Sequence, residues 1–373
     1  MFKFKQYDFK RYNISLLIIV MILGVIGALL IKQVKGEDYL KQLVGLAGGI
    51  ILAVVISLID YHFICKFYIA LYIINLILLI MVKMFGKTIN YAQRWLDLKF
   101  MMFQPSELSK IILILFIAVV FTSFKDKINN GFVILLSIVS MAIPTLLILT
   151  QTDLSTSMVI MFVFVMMIFA AGLSWKIVLP ALVAGIPGFI ALFWYVQQDY
   201  QVILSTTQQE RVLSIINPEL YPEIMYQQTN SIQAIGSGQL YGKRFIENLS
   251  QIRGYKYVPI SESDFVFSIA GEEMGFIGCC LILGLFAIII YKCLLTAKKA
   301  PDRLGMLISV GIASMFMFQV FVNIGVATSI LPNTGIPLPF LSSGLSSLMS
   351  GIISIGIILN IRLQPKKIRG LKT

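Results

Sequence analysis

The chain has 373 residues, of which 58% are hydrophobic and only 13% charged, and its net charge at pH 7 is +12. Soluble domains carry about a quarter charged residues, so this composition excludes a soluble enzyme, a disordered chain and a collagen-like fibre. The apolar runs are long and continuous, which also excludes a transmembrane β-barrel. In a membrane protein the positive charge first reflects basic loops on one side, and it does not indicate nucleic-acid binding.

Ten apolar stretches are long enough to cross a membrane, which takes about 20 residues. They cover residues 14–31, 40–59, 63–82, 105–123, 132–149, 156–172, 177–196, 264–291, 305–330 and 341–361. The sequence therefore predicts an all-α integral membrane protein with about ten transmembrane helices. The basic N-terminus continues into the first apolar stretch without a cleavage-like motif, which favours an uncleaved first helix. We expect residues 1–373 to form one polytopic membrane domain.

Basic residues predict the orientation of these helices. Ten crossings place both termini on one side, and that side also takes the larger share of the 30 Lys and Arg residues. The positive-inside rule then puts both termini in the cytoplasm. The long hydrophilic stretch at about 197–263 becomes an extracellular loop between helices 7 and 8, and its apolar residues predict short amphipathic helices on the membrane. His62, the only histidine, falls at the cytoplasmic end and is interpreted as interfacial.

Cysteine usage predicts neither a disulfide framework nor a zinc site. None of the four cysteines belongs to a CxxC pair or to a zinc-like spacing. They are Cys65, Cys279, Cys280 and Cys293.

Two charged residues open the fourth apolar stretch. Pro105 and Glu107 suit the first turn of a helix, and a simple helix start is one interpretation of them. Lys110 falls about two turns into an apolar helix, where an unpaired cation is costly. Glu107 lies three residues earlier on the same face, so it can be the partner of Lys110.

Two adjacent acids, Glu272 and Glu273, lie inside the eighth apolar stretch. A continuous helix from Asp264 would carry them about 14 Å along its axis, nearly to the middle of the membrane. At least one of them must then meet a cation or stay protonated. Lys110 is a candidate for that cation, and a buried pair that only fixes helix packing is the alternative.

Two aspartates stand at predicted helix starts. Asp153 precedes the sixth apolar stretch, and Asp264 lies where the long loop enters the eighth. By pattern alone, each aspartate is as compatible with capping a helix as with catalysis. The stretch 331–344 has three prolines and two glycines, which prevent a regular helix and suit a cavity wall. The GxGxxxG spacing of Gly236–Gly242 follows no strand, so it predicts a flexible turn rather than a phosphate loop.

Six motifs follow one another along nearly the whole chain. They are Arg94-Trp95 with FQPSELSK, then QTDLST, ERVLSIINPE, SIQAIGSGQLYGK, SDFVFSIAGEEMGFIG and LPNTGIPLPFLSSG. In this order they resemble the shape, elongation, division and sporulation family, which includes RodA, FtsW and SpoVE, and the PLPF form is most similar to RodA. The resemblance implies ten helices and a peptidoglycan glycosyltransferase that polymerises lipid II outside the bacterial cytoplasmic membrane. It also implies a class B penicillin-binding protein, a transpeptidase, as partner.

The resemblance also assigns residues. The essential acid of the family is matched by Asp264, which becomes the candidate catalytic residue. The candidate substrate-binding residues are Arg94, Lys110, Glu107, Asp153, Arg211 and Lys243. Two segments depart from the family pattern: Glu262-Ser263 stands where His-Thr is common, and Ser343-Gly344-Leu345 stands where Tyr-Gly-Gly is usual. These departures leave Asp264 in place.

The implied reaction moves a sugar from an undecaprenyl diphosphate to the 4-hydroxyl of another sugar. Diphosphate is a good leaving group, but its negative charge must be neutralised by Lys, Arg or a divalent cation such as Mg²⁺ or Mn²⁺. The acceptor hydroxyl needs a base, and one partly desolvated carboxylate is sufficient. We expect Asp264 to be this base, and Arg94 with nearby Lys or Arg residues to hold the diphosphate. The side chains expected to maintain the shape of the cavity are Glu107, Lys110, Glu272 and Glu273.

Two other functions stay open at this point. Ten helices with buried charges and broken segments also suit a transporter that flips lipid II. The motif departures are also compatible with an inactive scaffold that recruits the transpeptidase. The long outer loop favours the enzyme, and the sequence does not distinguish a role in elongation from one in division or sporulation.

Overall fold

The computed structural model describes residues 7–89, 92–97, 102–198, 200–203, 206–243 and 253–364. The α-helices within these residues are α1 (Ile14–Val34), α2 (Gly36–Leu58), α3 (Tyr61–Cys65), α4 (Tyr68–Phe85), α5 (Pro105–Ser123), α6 (Gly131–Thr150), α7 (Leu154–Ala170), α8 (Trp175–Val196), α9 (Thr206–Ile216), α10 (Pro222–Ser237), α11 (Val266–Lys299), α12 (Arg303–Ala327) and α13 (Leu345–Leu363). Three short strands lie between α4 and α5, namely β1 (Lys87–Ile89), β2 (Ala92–Asp97) and β3 (Met102–Phe103).

The predicted membrane crossings are confirmed. Nine helices of the described part of the chain are long and apolar enough to cross a membrane, and α7 adds a shorter apolar helix. The protein is therefore a multi-pass, mostly helical membrane protein. The main differences in bounds are that the third crossing is preceded by the short helix α3, and that α11 continues to Lys299.

The bundle is built around α5, α12 and α13. In each of these helices 72% of the residues in the most apolar 18-residue stretch are buried. This is expected for helices that are surrounded by other helices. Helix α8 is the opposite case, since Trp175 and Val183 are each 65% exposed. Such outward apolar side chains suit contact with lipid tails, whereas the central helices position the segments that connect them.

The connecting segments gather at two ends of the bundle. One end, called the Asp264 face, carries the three strands, α9, α10, Asp264 and the segment 331–344. The other end, called the His62 face, carries His62, Asp302 and Gln364. Because the first and last described residues both lie at the His62 face, the number of crossings is even.

The strands form a small antiparallel sheet in the order β1-β2-β3. The sequence pattern did not predict this sheet. Thr88 lies opposite Gln93, and Leu96 lies opposite Phe103. Gln93 also donates a hydrogen bond of 2.9 Å to Gly86 O at the end of α4. The sheet is thereby attached to the bundle, and β2 brings Arg94 to the Asp264 face.

The segment 331–344 joins α12 to α13 without a helix, as its prolines predict. Gly335 has a φ of +72°, a conformation that side chains other than glycine rarely adopt. Asn323 of α12 donates its amide to Ile336 O at 2.7 Å and to Asp264 O at 2.9 Å. This irregular backbone is therefore tied both to α12 and to the residues that lead into α11.

His62 connects two aspartates at the His62 face. Its Nδ1 lies 2.8 Å from Asp60 Oδ1, and its Nε2 lies 2.5 Å from Asp302 Oδ2. Asp60 caps α3 and Asp302 caps α12, so the imidazole links the starts of two helices. The hydrogen bond to Asp302, helped by the bond to Asp60, raises the pKa of His62 although partial burial acts against it.

Replacing His62 with Gln should remove a pH-dependent part of the stability. Because the folded pKa lies above the ordinary value of about 6.5, the stabilisation is complete below that value and is lost as the pH rises through the folded pKa. We expect the Tm of the solubilised wild-type protein to fall across this window and that of the variant to fall less. Thermal unfolding in detergent between about pH 5.5 and about pH 8.5 measures this. Identical slopes for the two proteins would contradict the prediction.

Candidate active site

Asp264 lies where the chain enters α11, directly before the N-cap residue Phe265. Ser263 Oγ donates a hydrogen bond of 2.9 Å to Asp264 Oδ1. The other carboxylate oxygen faces the backbone of Gly335, since a Cβ placed on that glycine would lie 3.2 Å from Asp264 Oδ2. No side chain caps α11 at this N-cap, so capping does not account for Asp264.

The surroundings of Asp264 favour a proton acceptor. Burial raises the pKa of Asp264, and Glu262 adds to this effect, while Ser263, Arg94 and Arg211 act in the opposite direction. The net result is a pKa above the ordinary value. A carboxylate whose pKa is nearer to the operating pH is the more effective general base.

Arg94 is held beside Asp264 by the start of α7. Its guanidinium donates to Thr152 O, and its Nη1 lies 3.6 Å from Asp153 Oδ1. Asp153 is 1% exposed and accepts a hydrogen bond of 3.1 Å from Thr156 N as the N-cap of α7. The capping interpretation of Asp153 is therefore confirmed, and the same side chain is the counter-ion of Arg94.

The second oxygen of Asp153 ties α5 to α7. Gln104 Nε2 and Ser106 Oγ, at the start of α5, donate to Asp153 Oδ2 at 3.2 and 3.1 Å. Thr156 Oγ1 donates to the same atom at 3.0 Å. A buried carboxylate that accepts this many hydrogen bonds is held in one orientation, which in turn fixes the position of Arg94.

Arg211, on α9, is the other cation beside Asp264. Its side chain is half-buried, and within the described part of the chain no group accepts a hydrogen bond from its guanidinium. Burial and the charge of Arg94 lower the pKa of Arg211, while Asp264 acts in the opposite direction. Because a desolvated cation without a close partner is costly, an anionic ligand at this position would be stabilised.

Helix α9 belongs to a loop that is docked onto the end of α12. Gln228 of α10 donates to Val326 O at 3.0 Å and to Leu331 O at 2.8 Å. Ser231 donates to Ala327 O at 2.7 Å. The predicted long loop, which lies between α8 and α11, therefore contains the two helices α9 and α10. Its docking holds α9 at the Asp264 face.

Glu107 and Lys110 form the predicted ion pair, with 2.9 Å between Nζ and Oε1. The two side chains are 3% and 2% exposed, and Glu107 Oε2 is buried without a hydrogen-bond partner in the described residues. An enclosed pair of this kind is shielded from a ligand at the Asp264 face. It therefore suits the role of maintaining the cavity shape better than direct substrate contact.

The interpretation of Lys110 as the partner of Glu272 and Glu273 is wrong. Glu272 pairs with Lys243 at 2.5 Å, and Glu273 pairs with Arg253 at 3.1 Å. Both cations come from the long loop rather than from α5. Lys243, a candidate substrate-binding residue, is therefore engaged by a buried acid, and this contact anchors the loop to α11.

Helix α11 is interrupted just after these acids, at Gly275, where φ is +66° and ψ is −167°. The predicted turn begins only at Gly238, because Gly236 and Ser237 still belong to α10. It packs into the break, where the amide of Phe276 donates to Gln239 O at 2.8 Å. The part of α11 after Gly275 is by itself long enough to cross a membrane. The acids precede that part, within reach of the loop.

Two residues of this site were not singled out by the sequence. Lys35, between α1 and α2, donates to Glu262, although 227 positions separate the two residues. Asn323 holds the backbone of Asp264. A signal existed for each, since an acid in an apolar setting requires a cation and a polar residue within an apolar helix requires a partner.

A divalent cation held by the protein would need several His, Cys, Asp or Glu side chains close together. In the described ranges no group of three or more His, Cys, Asp or Glu side chains could hold a metal ion. Glu262, the acid nearest to Asp264 in the sequence, is engaged by Lys35. These donors do not fit a divalent cation held by the protein alone, and the Mg²⁺ or Mn²⁺ of the sequence analysis stays a prediction.

Comparison with known sequences identifies relatives over nearly the full length. A family model described as "Cell cycle protein", which covers FtsW, RodA and SpoVE, matches residues 9–367. The peptidoglycan glycosyltransferase MrdB of Escherichia coli strain K12 is 34% identical over 372 residues, with 96% of each chain covered.

Two solved structures share the fold. The rod shape determining protein RodA of Thermus thermophilus has a TM-score of 0.68 and 27% identity, with 95% of this chain and 96% of that chain covered. A chain from a structure described as a peptidoglycan synthase complex has a TM-score of 0.80 and 27% identity, with 94% and 97% covered.

Replacing Gly275 with Ala should destabilise the protein, and Gly284→Ala is the matched control in the same helix. A Cβ on Gly275 would lie 2.3 Å from Gly242 N, whereas no atom lies within 4 Å of one on Gly284. The backbone conformation of Gly275 alone costs another residue about 1–3 kcal/mol. We expect a lower Tm for the first variant and an unchanged or higher Tm for the second, measured by thermal unfolding in detergent. Equal Tm values would contradict the described break.

Proposed function

This chain belongs to the FtsW, RodA and SpoVE family and is a peptidoglycan glycosyltransferase, and we propose that Asp264 is the general base with which it polymerises lipid II. One observation carries the proposal. Every buried acid of the Asp264 face is paired with a cation, but Asp264 is half-buried and accepts its side-chain hydrogen bond from Ser263 alone among the described residues. The pairs are Glu107–Lys110, Asp153–Arg94, Glu262–Lys35, Glu272–Lys243 and Glu273–Arg253. Asp264 thus lacks an ion-pair partner within hydrogen-bond distance among the described residues, and it lies beside the charges of Arg94 and Arg211.

The chemistry follows from this arrangement. The 4-hydroxyl of the acceptor sugar attacks the anomeric carbon of the donor sugar, and its proton passes to the Asp264 carboxylate. The bond between the anomeric carbon and the diphosphate oxygen breaks, and undecaprenyl diphosphate leaves with the electron pair. Diphosphate is a good leaving group once its charge is neutralised, so a strong general acid is unnecessary.

Arg211 is the residue that we assign to the diphosphate. Its guanidinium is half-buried and is not engaged by a described residue, and Arg can bind phosphate oxygens through two parallel hydrogen bonds. We do not assign the direct diphosphate contact to Arg94, because Thr152 O and the Asp153 carboxylate already occupy part of its guanidinium. Arg94 therefore contributes its charge and holds the site together, and Arg211 contributes the direct contact.

The location and partner follow from the family and from the charges. We place both termini in the cytoplasm and the Asp264 face on the outer side of the bacterial cytoplasmic membrane, where a lipid-linked substrate can reach it. The undecaprenyl tail would lie among the outward apolar side chains of the helices. A structural neighbour comes from a complex that coordinates polymerization and crosslinking, which supports a class B penicillin-binding protein as the partner of this chain.

The distribution of charge disfavours a transporter. A flippase needs charges along a path through the membrane. In the described helices the charged side chains lie within about two turns of a helix end or, for Glu272 and Glu273, before the break at Gly275. An inactive scaffold is disfavoured because it does not require an available carboxylate between two arginines.

Replacing Asp264 with Asn should reduce lipid II polymerisation at least about 100-fold, because general-base assistance of this size is lost while the shape is kept. Purified protein with its transpeptidase partner and lipid II, scored for glycan strands on gels, measures the rate. Asp126→Asn, an exposed aspartate at the other end of the bundle, is the control and should leave the rate unchanged. A folded, partner-bound Asp264→Asn variant with the wild-type rate would show that Asp264 is not the base.

Replacing Arg211 with Ala should lower kcat/KM for lipid II about 10- to 100-fold, as expected when a hydrogen bond to a charged group is lost. Arg211→Lys should recover part of this loss because it restores the charge without the fork geometry. The control is Lys41→Ala, which removes an exposed cation of the same face that is paired with Asp38. An Arg211→Ala variant as efficient as the control would contradict the assignment.

A further inference from the structure

Lys35 and Glu262 form an ion pair two residues before Asp264. Lys35 Nζ donates to Glu262 Oε1, and the side chain of Glu262 is only 8% exposed, whereas that of Lys35 is 55% exposed. The hydrogen bond to Glu262 raises the pKa of Lys35, so the lysine stays charged. The two residues come from distant parts of the chain, the α1–α2 linker and the entrance to α11.

The backbone around Glu262 is fixed by the segment 331–344. Glu262 O accepts a hydrogen bond of 2.8 Å from Ser343 N. Ser342 Oγ donates to Ser263 O at 2.5 Å, and Gln42 Nε2 donates to Ser342 O at 3.1 Å. The ion pair therefore lies in a three-way junction between the α1–α2 region, the residues before α11 and the wall opposite Asp264.

The negative charge of Glu262 matters for Asp264, because a nearby like charge disfavours the ionised form of a carboxyl group. A buried carboxylate without a counter-ion would also be costly, and Lys35 supplies that counter-ion to Glu262. The side chain of Lys35 is exposed, and it is therefore the part of the junction that can be changed with least disturbance to the packing.

We propose that Lys35 and Glu262 act together as a charge-balancing pair that positions the residues before α11 and sets the proton affinity of Asp264. The proposal rests on the proposed role of Asp264 as general base. Lys35 and Glu262 are positioning residues, since they act through Asp264 and the backbone next to it. The sequence pair Glu262-Ser263, which departs from the common His-Thr, thus obtains its counter-charge from Lys35.

Asp264 is surrounded by few other charged groups. Arg94 approaches from β2 and Arg211 from α9, while Glu262 belongs to the same segment. Residues 331–344 contribute no titratable side chain, and α12 contributes Asn323. Glu262 is therefore the neighbouring acid whose negative charge increases the affinity of Asp264 for a proton, and Lys35 offsets that charge.

The test is the pH profile of lipid II polymerisation by the full chain with its transpeptidase partner. Lys35→Gln leaves Glu262 unbalanced, so the acidic limb of kcat/KM should move to higher pH by on the order of half a unit. Glu262→Gln leaves Lys35 unbalanced, so the limb should move to lower pH by a similar amount. The double variant should return close to the wild-type profile.

Two further measurements separate charge from structure. At a pH well above the limb, Lys35→Gln should reach the wild-type kcat, whereas damage to the fold would lower kcat at every pH. Lys41→Gln disrupts another ion pair of the same face, with Asp38, and should leave the profile in place. The exchanged variant Lys35→Glu with Glu262→Lys keeps a pair and should restore activity if a single variant folds poorly.

Shifts of both single variants in the same direction, or the absence of shifts, would overturn the proposal. A uniform loss of kcat with unchanged limbs would overturn it as well, because it would reduce the pair to a structural anchor. The proposed function is tested separately, since it fails only when Asp264→Asn remains active. An inactive Asp264→Asn together with unshifted Lys35 and Glu262 variants would therefore reject this inference and retain Asp264 as the base.

Discussion

The site depends on the cost of placing charge in a medium that solvates it poorly. Each buried acid that the structure describes at the Asp264 face is matched by a cation, and most of these pairs join separate parts of the chain, as Asp153 with Arg94 and Glu272 with Lys243 do. Each pair thereby acts as a cross-link between a loop and a helix start. Asp264 has no such ion pair among the described residues and is held mainly through its backbone and one hydroxyl. An acid left available in a scaffold of satisfied charges is suited to transient protonation.

The sequence predicted the features that depend on local spacing. The ten crossings follow from the length of apolar stretches, and the pair of Glu107 with Lys110 follows from their positions on one helical face. The start of α7 at Asp153 follows from capping chemistry. In each case the interacting groups lie within one or two helical turns, so the pattern contains both partners.

The features that the sequence did not predict depend on distant partners or on backbone geometry. Lys35 and Glu262 lie 227 positions apart, so their spacing contains no information about the contact. The three strands have two to six residues each, too short for alternation to distinguish them from a loop. The break at Gly275 was missed because one glycine in an apolar run is compatible with a continuous helix. The partner of Glu272 was missed because Lys243 lies 29 positions away, in the long loop.

The end of α12 explains why Asp264 and Arg211 lie at the same face. Asn323 binds the backbone of Asp264, while about one turn further along, Val326 and Ala327 accept hydrogen bonds that dock α10. The helix that binds the backbone of Asp264 thus also anchors the loop that carries Arg211 on α9. Both anchors therefore lie on one helix, about one turn apart. A long loop that carries a functional cation can in this way be as well positioned as a residue on a helix of the bundle.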